Sequence, residues 1–413
     1  MRKSLVVLSG AILLSLIVTV IPLATGCTPK AAVEEKYVTH LNLADLTGPT
    51  AAVHVPVDKG ASAYLKGLNE KGGIDGVKVK YIVVDTRYDT ARTVAAYQRY
   101  RTEHKVLFVQ APSTAGVKAL APFLQEDKGV GYGPPDGELQ AFPGRYFLMG
   151  PSYQDGFAAL LDWIVADWKA KGKTGMPKVG HMGWDNPYGR EPLRGGKEYA
   201  EKLGLTLLPP EFFPAGSLKH DVYLTRLANA GANYIHVGGV DQTPTNVIRD
   251  AQALGLTKSI QFAADFWGPS EAFGVKAYPE ALEGTVIYSY YLRGEEARNH
   301  PLGKLWVEYG YGSPADMPDP FVLGITQALG FEAGVRRALQ DVGYEKLDGE
   351  AMFQAMQKLT GMDINKGLTG SCAWAEGERR ASRFVKLYQI KSGKVVPITD
   401  WAKAPDAVAL YKW

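Results

Sequence analysis

A regular alternation of short apolar stretches with amphipathic ones most constrains how this chain can fold. Stretches typical of strands lie at residues 38–44, 77–84, 106–110 and 130–132. Segments with helical periodicity separate them, at residues 57–71, 90–103 and 114–126. Strands that alternate with helices form a parallel sheet covered on both faces. The pattern restarts near residue 145, which predicts a second α/β unit of similar size. Strand-like runs at residues 384–390 and 395–398 are expected to complete the sheets.

Length and charge support two domains and a small-molecule partner. Residues 37–413 exceed the roughly 250–300 residues at which a single hydrophobic core stops growing. The 46 Lys and Arg residues nearly balance the 43 Asp and Glu residues, and no basic run occurs. A nucleic-acid surface needs clustered basic residues, so we expect no nucleic-acid partner.

The N-terminal residues predict a secreted lipoprotein. Two basic residues precede an apolar run over residues 5–20, and small residues then lead to Gly26 and Cys27. This order is typical of a signal peptide, here residues 1–26, that is cleaved after the Cys27 thiol is lipidated. Residues 27–36 would form a tether. The alternative is an uncleaved anchor, because the apolar run nearly spans a bilayer core of about 30 Å. Both alternatives place the rest of the chain outside the cytoplasm, at the membrane.

Motifs of enzymes are absent from the sequence. There is no His-Glu-x-x-His, Gly-x-Ser-x-Gly or phosphate-binding Gly-x4-Gly-Lys-Ser/Thr segment, and the seven histidines never stand at metal-ligand spacing. Residues 129–133 are rich in glycine, but prolines follow where a dinucleotide-binding helix should begin. Cys372 could be a nucleophile, yet its small and aromatic neighbours favour a buried apolar side chain. We therefore expect no enzymatic activity, cofactor or metal.

Several segments, in the same order along the chain, resemble one family. They are residues 43–49 (LADLTGP), 69–74 (NEKGGI), 188–189 (YG), 234–239 (YIHVGG), 254–256 (LGL), 281–284 (ALEG) and 367–370 (GLTG). Together they resemble the periplasmic solute-binding proteins of branched-chain amino acid (Leu/Ile/Val) ABC transporters.

The resemblance implies a type I periplasmic-binding-protein fold. In that fold two lobes, each a parallel-sheet α/β sandwich, are joined by three crossings and hold the ligand between them. We place the crossings near residues 150, 286 and 372. The N-terminal lobe would then contain residues 37–150 and 287–372, and the C-terminal lobe residues 151–286 and 373–413.

The resemblance also implies binding residues. Ser113, Thr114 and Ala115 follow a strand and open a helix, where free N–H groups favour an anion, and the family holds a ligand carboxylate there. The alternative is that the hydroxyls only cap the helix. Tyr188 corresponds to a tyrosine that stacks on ligand, unless it is a core aromatic. His54 is near another family contact, or is simply a loop histidine.

At four positions the chain departs from the family pattern. Gly133 and Pro135 stand in a loop where relatives carry a hydroxyl, and Asp241 stands where they carry an aromatic residue. Phe266 occupies the place of a glutamate that binds the ligand ammonium. Asp265, next to it, could replace that glutamate, or either aspartate could be a surface or capping acid. The added aromatic residues suggest a cleft more aromatic than a leucine site.

The predicted function is capture of a small solute, here expected to be a branched-chain or other amino acid, and its delivery to a membrane permease by a monomeric binding protein. The sequence leaves open an aromatic or organic acid, or a short amide such as urea, as the solute. It also leaves open a ligand-sensing receptor of the same fold. A secreted enzyme on this scaffold is a further alternative, because a fold does not determine a function.

Overall fold

The computed structural model describes residues 35–360 and 364–413. Residues Lys36–Trp413 form one compact unit. Cys27, the signal peptide and nearly all of the tether lie outside the described residues, so the predictions made for them stay predictions.

The first sheet is entirely parallel, as the alternating sequence pattern predicts. Its strands run in the order β2-β1-β3-β4-β5, with helices in the connections. The strands are β1 (Tyr37–Ala44), β2 (Lys78–Asp85), β3 (Val106–Gln110), β4 (Val130–Tyr132) and β5 (Tyr146–Phe147). The helices are α1 (Ala51–Glu70), α2 (Thr90–Glu103), α3 (Thr114–Glu126) and α4 (Gly137–Ala141).

The second sheet has nine strands, and its main path is β13-β12-β11-β10-β9-β6-β7. Its elements up to the second crossing are α5 (Tyr153–Ala170), β6 (Lys178–Trp184), α6 (Pro187–Arg190), α7 (Leu193–Leu203), β7 (Thr206–Leu207), β8 (Glu211–Phe213), α8 (Asp221–Asn229), β9 (Tyr234–Val237), α9 (Gln242–Ala253), β10 (Gln261–Ala264), α10 (Pro279–Leu282) and β11 (Val286–Ser289). The remaining elements are α11 (Gly294–Asn299), α12 (Leu305–Glu308), α13 (Pro320–Val342), α14 (Gly349–Met356), β12 (Phe384–Lys391), β13 (Lys394–Pro397) and β14 (Ala402–Lys403). β12 pairs antiparallel with β11, so both predicted C-terminal strands join this sheet and neither joins the first.

After β11 the chain returns to the first sheet through α13, which packs on α1. The two helices touch backbone to backbone at two glycines. A Cβ on Gly60 would lie 2.0 Å from the carbonyl oxygen of Phe321, and one on Gly324 would lie 1.8 Å from that of Val57. Only residues without a side chain permit this approach. We call β1–β5 with α1–α4, α13 and α14 the first lobe, and the second sheet with α5–α10 the second lobe. The boundaries of the lobes at single-residue precision stay a prediction.

Two local expectations have clear outcomes. Cys372 is buried, as expected, and its sulfur accepts a hydrogen bond from Asn365. Helix α1, expected from residue 57, instead begins at Ala51, and Pro56 lies inside it. The early start arises because the turn before the helix is held by Asp45, whose carboxylate binds the backbone N–H groups of Gly48 and Thr50.

Candidate ligand-binding cleft

A cavity lies between the two lobes, next to the carboxyl ends of β3 and β4. Parallel α/β sheets place their ligands at these ends. Its volume is about 30 Å³, which is room for one or two water molecules. A solute therefore requires the lobes or the lining side chains to move. The lining residues are His54, Val57, Gln110, Ala111, Pro112, Tyr132, Gly133, Pro134, Pro135, Met149, Trp267, Tyr290 and Gln327.

None of the described residues that line the cavity has a formally charged side chain. Its polar groups are the amides of Gln110 and Gln327, two tyrosine hydroxyls and the imidazole of His54. Burial lowers the pKa of His54 to about 4, although nearby Asp45 acts in the opposite direction. His54 is therefore neutral at physiological pH. The cavity offers hydrogen bonds and aromatic surface, and it lacks a lining ion to pair with a charged ligand group.

His54 belongs to a chain of hydrogen bonds that starts in the turn before α1. The Thr50 hydroxyl lies 2.6 Å from Asp45 Oδ2 and 2.7 Å from His54 Nδ1. Asp45 is fully buried and also accepts hydrogen bonds from two backbone N–H groups. The ring of His54 meets Trp267 of the second lobe edge to face, with ring centroids 5.6 Å apart. This histidine is thus held by its own lobe and faces the other.

The predicted anion-binding segment has two different hydroxyls. Ser113 caps α3, because its Oγ accepts a hydrogen bond of 3.2 Å from Gly116 N. Thr114 is buried, and its Oγ1 has no hydrogen-bond partner among the described residues. Neither residue, nor the half-buried Ala115, lines the cavity. Ligand binding by this segment stays a prediction, and Ser113 has the capping role that was its alternative.

Aromatic side chains form the second-lobe wall of the cleft. Trp267 donates a hydrogen bond of 3.1 Å from its indole N–H to the Tyr153 hydroxyl. Tyr153 stacks on Phe266 at a centroid distance of 5.5 Å and an angle of 10°. Tyr188 packs edge to face on Tyr153 at 5.1 Å. The aromatic character expected from the sequence is present, but of these residues only Trp267 lines the cavity.

Asp265 lies behind this wall. Its Oδ2 accepts a hydrogen bond of 2.7 Å from the Tyr188 hydroxyl, and its Oδ1 accepts one of 2.9 Å from Trp267 N. Burial raises its pKa to about 7. Asp265 does not line the cavity, so an ammonium in the cavity would meet this carboxylate only after the wall rearranges.

Asp241 organises a turn in the second lobe. Its carboxylate accepts hydrogen bonds from the Ser270 N–H and hydroxyl and from Gly274 N. Burial raises its pKa to about 6. Asp241 does not line the cavity. Of the residues predicted from the sequence, His54, Gly133 and Pro135 line it, whereas Ser113, Thr114, Ala115, Tyr188, Asp241, Asp265 and Phe266 do not.

The sequence reasoning missed two glutamines and two tyrosines of the lining. Gln110 and Tyr132 are the last residues of β3 and β4, and strand ends of this kind could have been selected by position alone. Gln327 lies on α13, and no sequence pattern indicates that it lines the cleft, because α13 reaches the cleft only where the chain returns to the first lobe. Gln110 Nε2 donates a hydrogen bond of 2.9 Å to Gln327 Oε1.

Ion pairs connect the two lobes. We call the residues Lys118, Asp136 and Glu138 of the first lobe, with Glu191 and Arg194 of the second, the inter-lobe charge cluster. Lys118 Nζ lies 3.1 Å from Asp136, 2.6 Å from Glu138 and 3.7 Å from Glu191. Arg194 lies 3.5 Å from Glu138 and 3.4 Å from Glu191. The cluster joins the two lobes.

Two carboxylates of this cluster are fully buried. Glu191 accepts a hydrogen bond of 2.7 Å from Gln154, and its side chain has no exposed surface. Burial, reinforced by the neighbouring Asp136 carboxylate, raises the pKa of Glu191 to about 7. Burial likewise raises the pKa of Asp136. Three carboxylates thus share two cations, and one of them is prone to hold a proton.

The chain belongs to the periplasmic binding protein family, whose model matches residues 42–394. This membership confirms the predicted type I fold of two α/β lobes and the prediction that the protein is not an enzyme. An amino acid binding protein of Pseudomonas aeruginosa is 24% identical over 268 residues, which cover 63% of this chain and 68% of that protein.

Solved structures share the fold. A branched-chain amino acid ABC transporter protein from Thermus thermophilus, solved with bound valine, superimposes with a TM-score of 0.80 at 21% identity, covering 91% of this chain and 98% of the other. A fatty acid ABC transporter substrate-binding protein from Thermomonospora curvata gives a TM-score of 0.76 at 19% identity, covering 92% and 95%. Among the described residues, no helix has both the length and the apolar character of a membrane span.

Proposed function

We propose that this protein is the extracytoplasmic solute-binding subunit of an ABC importer, and that it captures an amino acid between its lobes and delivers it to a membrane permease. The observation that carries the proposal is the cavity between the lobes, which is lined by His54 and Gln110 of the first lobe and Trp267 of the second. The family membership and the amino acid-binding relatives support the choice of solute.

In this proposal the protein works by hinge closure as a monomer anchored through lipid on Cys27. The open form would expose the cleft, and solute contacts with both lobes would shift the population toward the closed form. The contacts that span the cleft, His54 with Trp267 and Lys118 with Glu191, support a closed form of this kind.

Thermal-shift screening of the full-length protein tests the proposal. We expect one or a few of the proteinogenic amino acids to raise the Tm, because a ligand at 100 times its Kd adds about 2.7 kcal/mol to the free energy of unfolding. Trp267→Ala should abolish the shift. Trp168→Ala is the matched control. The indole N–H of Trp168 donates to carbonyl oxygens of the neighbouring loop, at Thr174 and Gly175, outside the cleft. A response to no amino acid would overturn the amino acid assignment.

A second candidate is an aliphatic or aromatic solute without an ammonium group, such as a short amide or organic acid, because no described residue of the lining offers a carboxylate to an ammonium. A buried ammonium without a partner costs several kcal/mol, and Asp265 stands behind the aromatic wall. Leucine, 4-methylpentanamide and 4-methylpentanoate share one side chain and differ only in these polar groups. Preference for leucine supports the first candidate, and preference for either of the others supports the second.

A further inference from the structure

The turn before α1 determines which nitrogen of His54 carries the proton. Asp45 accepts a hydrogen bond from the backbone N–H of Gly48 at Oδ1 and from that of Thr50 at Oδ2. A carboxylate whose two oxygens both act as acceptors has no proton to donate. The 2.6 Å contact between Asp45 Oδ2 and Thr50 Oγ1 therefore contains the hydroxyl proton of Thr50.

The direction of the Thr50–Asp45 hydrogen bond determines the direction of the hydrogen bond between Thr50 and His54. A threonine hydroxyl has a single proton, and here it is directed at Asp45. The proton in the 2.7 Å contact between Thr50 Oγ1 and His54 Nδ1 must then come from the imidazole. His54 is neutral at physiological pH, so its one ring proton is on Nδ1. Its Nε2 has a lone pair and no hydrogen.

This lone pair has no protein partner among the described residues. Within the described part of the chain, the side chain of His54 makes its hydrogen bond, to Thr50, through Nδ1. The residue lines the cavity and is 8% exposed. The nearest second-lobe indole, that of Trp267, already donates its N–H to Tyr153. The bare Nε2 is therefore available to a molecule in the cleft.

We propose that Asp45 and Thr50 hold His54 as the Nδ1–H tautomer so that Nε2 accepts a hydrogen bond from an N–H or O–H group of the bound solute. This inference rests on the proposed function, because it assigns one subsite within the same cleft. A carboxylate oxygen is rejected at this point, since two acceptors without a proton between them repel. Asp45 and Thr50 are positioning residues, and His54 is the contact that selects a donor.

The ligand-free protein tests the tautomer directly. In a two-bond ¹H–¹⁵N correlation spectrum of histidine-labelled full-length protein, we expect His54 to show a protonated Nδ1 and an unprotonated Nε2 between pH 6 and pH 8. The set of histidine signals that is missing from the spectrum of the His54→Gln variant is thereby assigned to His54. Thr50→Val should change the tautomer signature, Thr50→Ser should restore it, and Thr114→Val, a change at another buried threonine, should leave it unaltered. A protonated Nε2 in the wild type would overturn the proposal.

Titration then tests the subsite. Leucine offers an ammonium donor, 4-methylpentanamide an amide donor, and 4-methylpentanoate no donor. We expect only donor-bearing probes to shift the His54 Nε2 resonance, and Thr50→Val to weaken their binding by about 5- to 10-fold. Binding of 4-methylpentanoate at least as tight as that of both donors, or binding of a donor that leaves Nε2 unshifted, would contradict the subsite. If none of the probes binds, the titration is repeated with the amino acid that the thermal-shift screen identifies and with its deaminated acid, and the ligand-free spectrum still decides the tautomer.

Discussion

Replacing Glu191 by glutamine should make the free energy of unfolding less dependent on pH. The pKa of this carboxyl is raised from its ordinary value of 4.5 to about 7 by burial and by the adjacent Asp136. The charged and polar groups around it are Lys118, Arg194, Glu138 and Gln154. Between pH 4.5 and pH 7 the native protein therefore holds a proton on Glu191 that the unfolded chain has released.

The sign and size of the effect follow from proton linkage. When the native state binds more protons than the unfolded state, the free energy of unfolding falls as pH rises, by at most about 1.4 kcal/mol per pH unit for one group. From pH 5 to pH 7 the wild type should lose on the order of 2 kcal/mol from this site. Glutamine has no proton to release, so Glu191→Gln avoids the loss. The two proteins should match at pH 5, where the native wild type has a neutral Glu191.

Differential scanning calorimetry of both proteins at pH 5, 6, 7 and 8 measures this. We expect the variant's Tm to exceed that of the wild type by roughly 2–3 °C at pH 7 and above, and the difference to vanish at pH 5. Glu138→Gln is the matched control: it contacts the same Lys118, but its side chain is 41% exposed. Its Tm difference from the wild type should vary by less than about 1 °C over the same range. A Glu191→Gln difference that is independent of pH, or that grows as pH falls, would refute the reasoning.

Three further predictions concern the anchor and the N-terminus of α3. Cys27→Ser should leave an uncleaved precursor or release a folded protein into the soluble fraction, as judged by fractionation and N-terminal mass; membrane association of a cleaved Cys27→Ser protein would contradict lipidation. Ser113→Ala should lower the free energy of unfolding by about 1 kcal/mol, because it removes the cap of α3, with little effect on affinity. Thr114→Val should leave stability equal or higher, because it removes a buried hydroxyl without a partner, and should weaken a carboxylate ligand by roughly 1.5–3 kcal/mol if that hydroxyl binds it. Scanning calorimetry measures the stability of the Ser113→Ala and Thr114→Val variants, and titration calorimetry with the identified solute measures their affinity, so the two effects are separated.

Local patterns predicted much of the fold, and long-range packing limited the rest. The segment from β3 to β4 was placed correctly to the residue, since a β-branched strand, a capping Ser113 and an amphipathic helix follow each other without ambiguity. The predicted start of α1 at residue 57 was wrong, because the carboxylate of Asp45 holds the preceding turn and the helix begins six residues earlier, with Pro56 inside it. Helices α11 and α14 were not predicted, because short helices carry little periodicity.

The site was harder to predict because a motif identifies a neighbourhood and not the direction of a side chain. Asp241 and Asp265 do follow strands of the second lobe, as expected, but each carboxylate is occupied by local donors. His54 could be selected from its position near the family motif. The proton on its Nδ1 depends on the contacts of Thr50 and Asp45, which no spacing rule expresses.

The two lobes contribute different chemistry to the cleft, and this division implies an order of events. Nearly all polar lining groups, including His54 and the paired Gln110 and Gln327, belong to the first lobe, whereas the second lobe contributes the indole surface of Trp267. Hydrogen bonds are directional and can form while the cleft is open, but an apolar surface stabilises a complex only when it excludes water. A solute would therefore be oriented on the first lobe and then covered by the second. In the proposed binding function, selection among polar groups would belong to the first step, and retention of the solute would depend on the aromatic wall and on the ion pairs of the inter-lobe charge cluster.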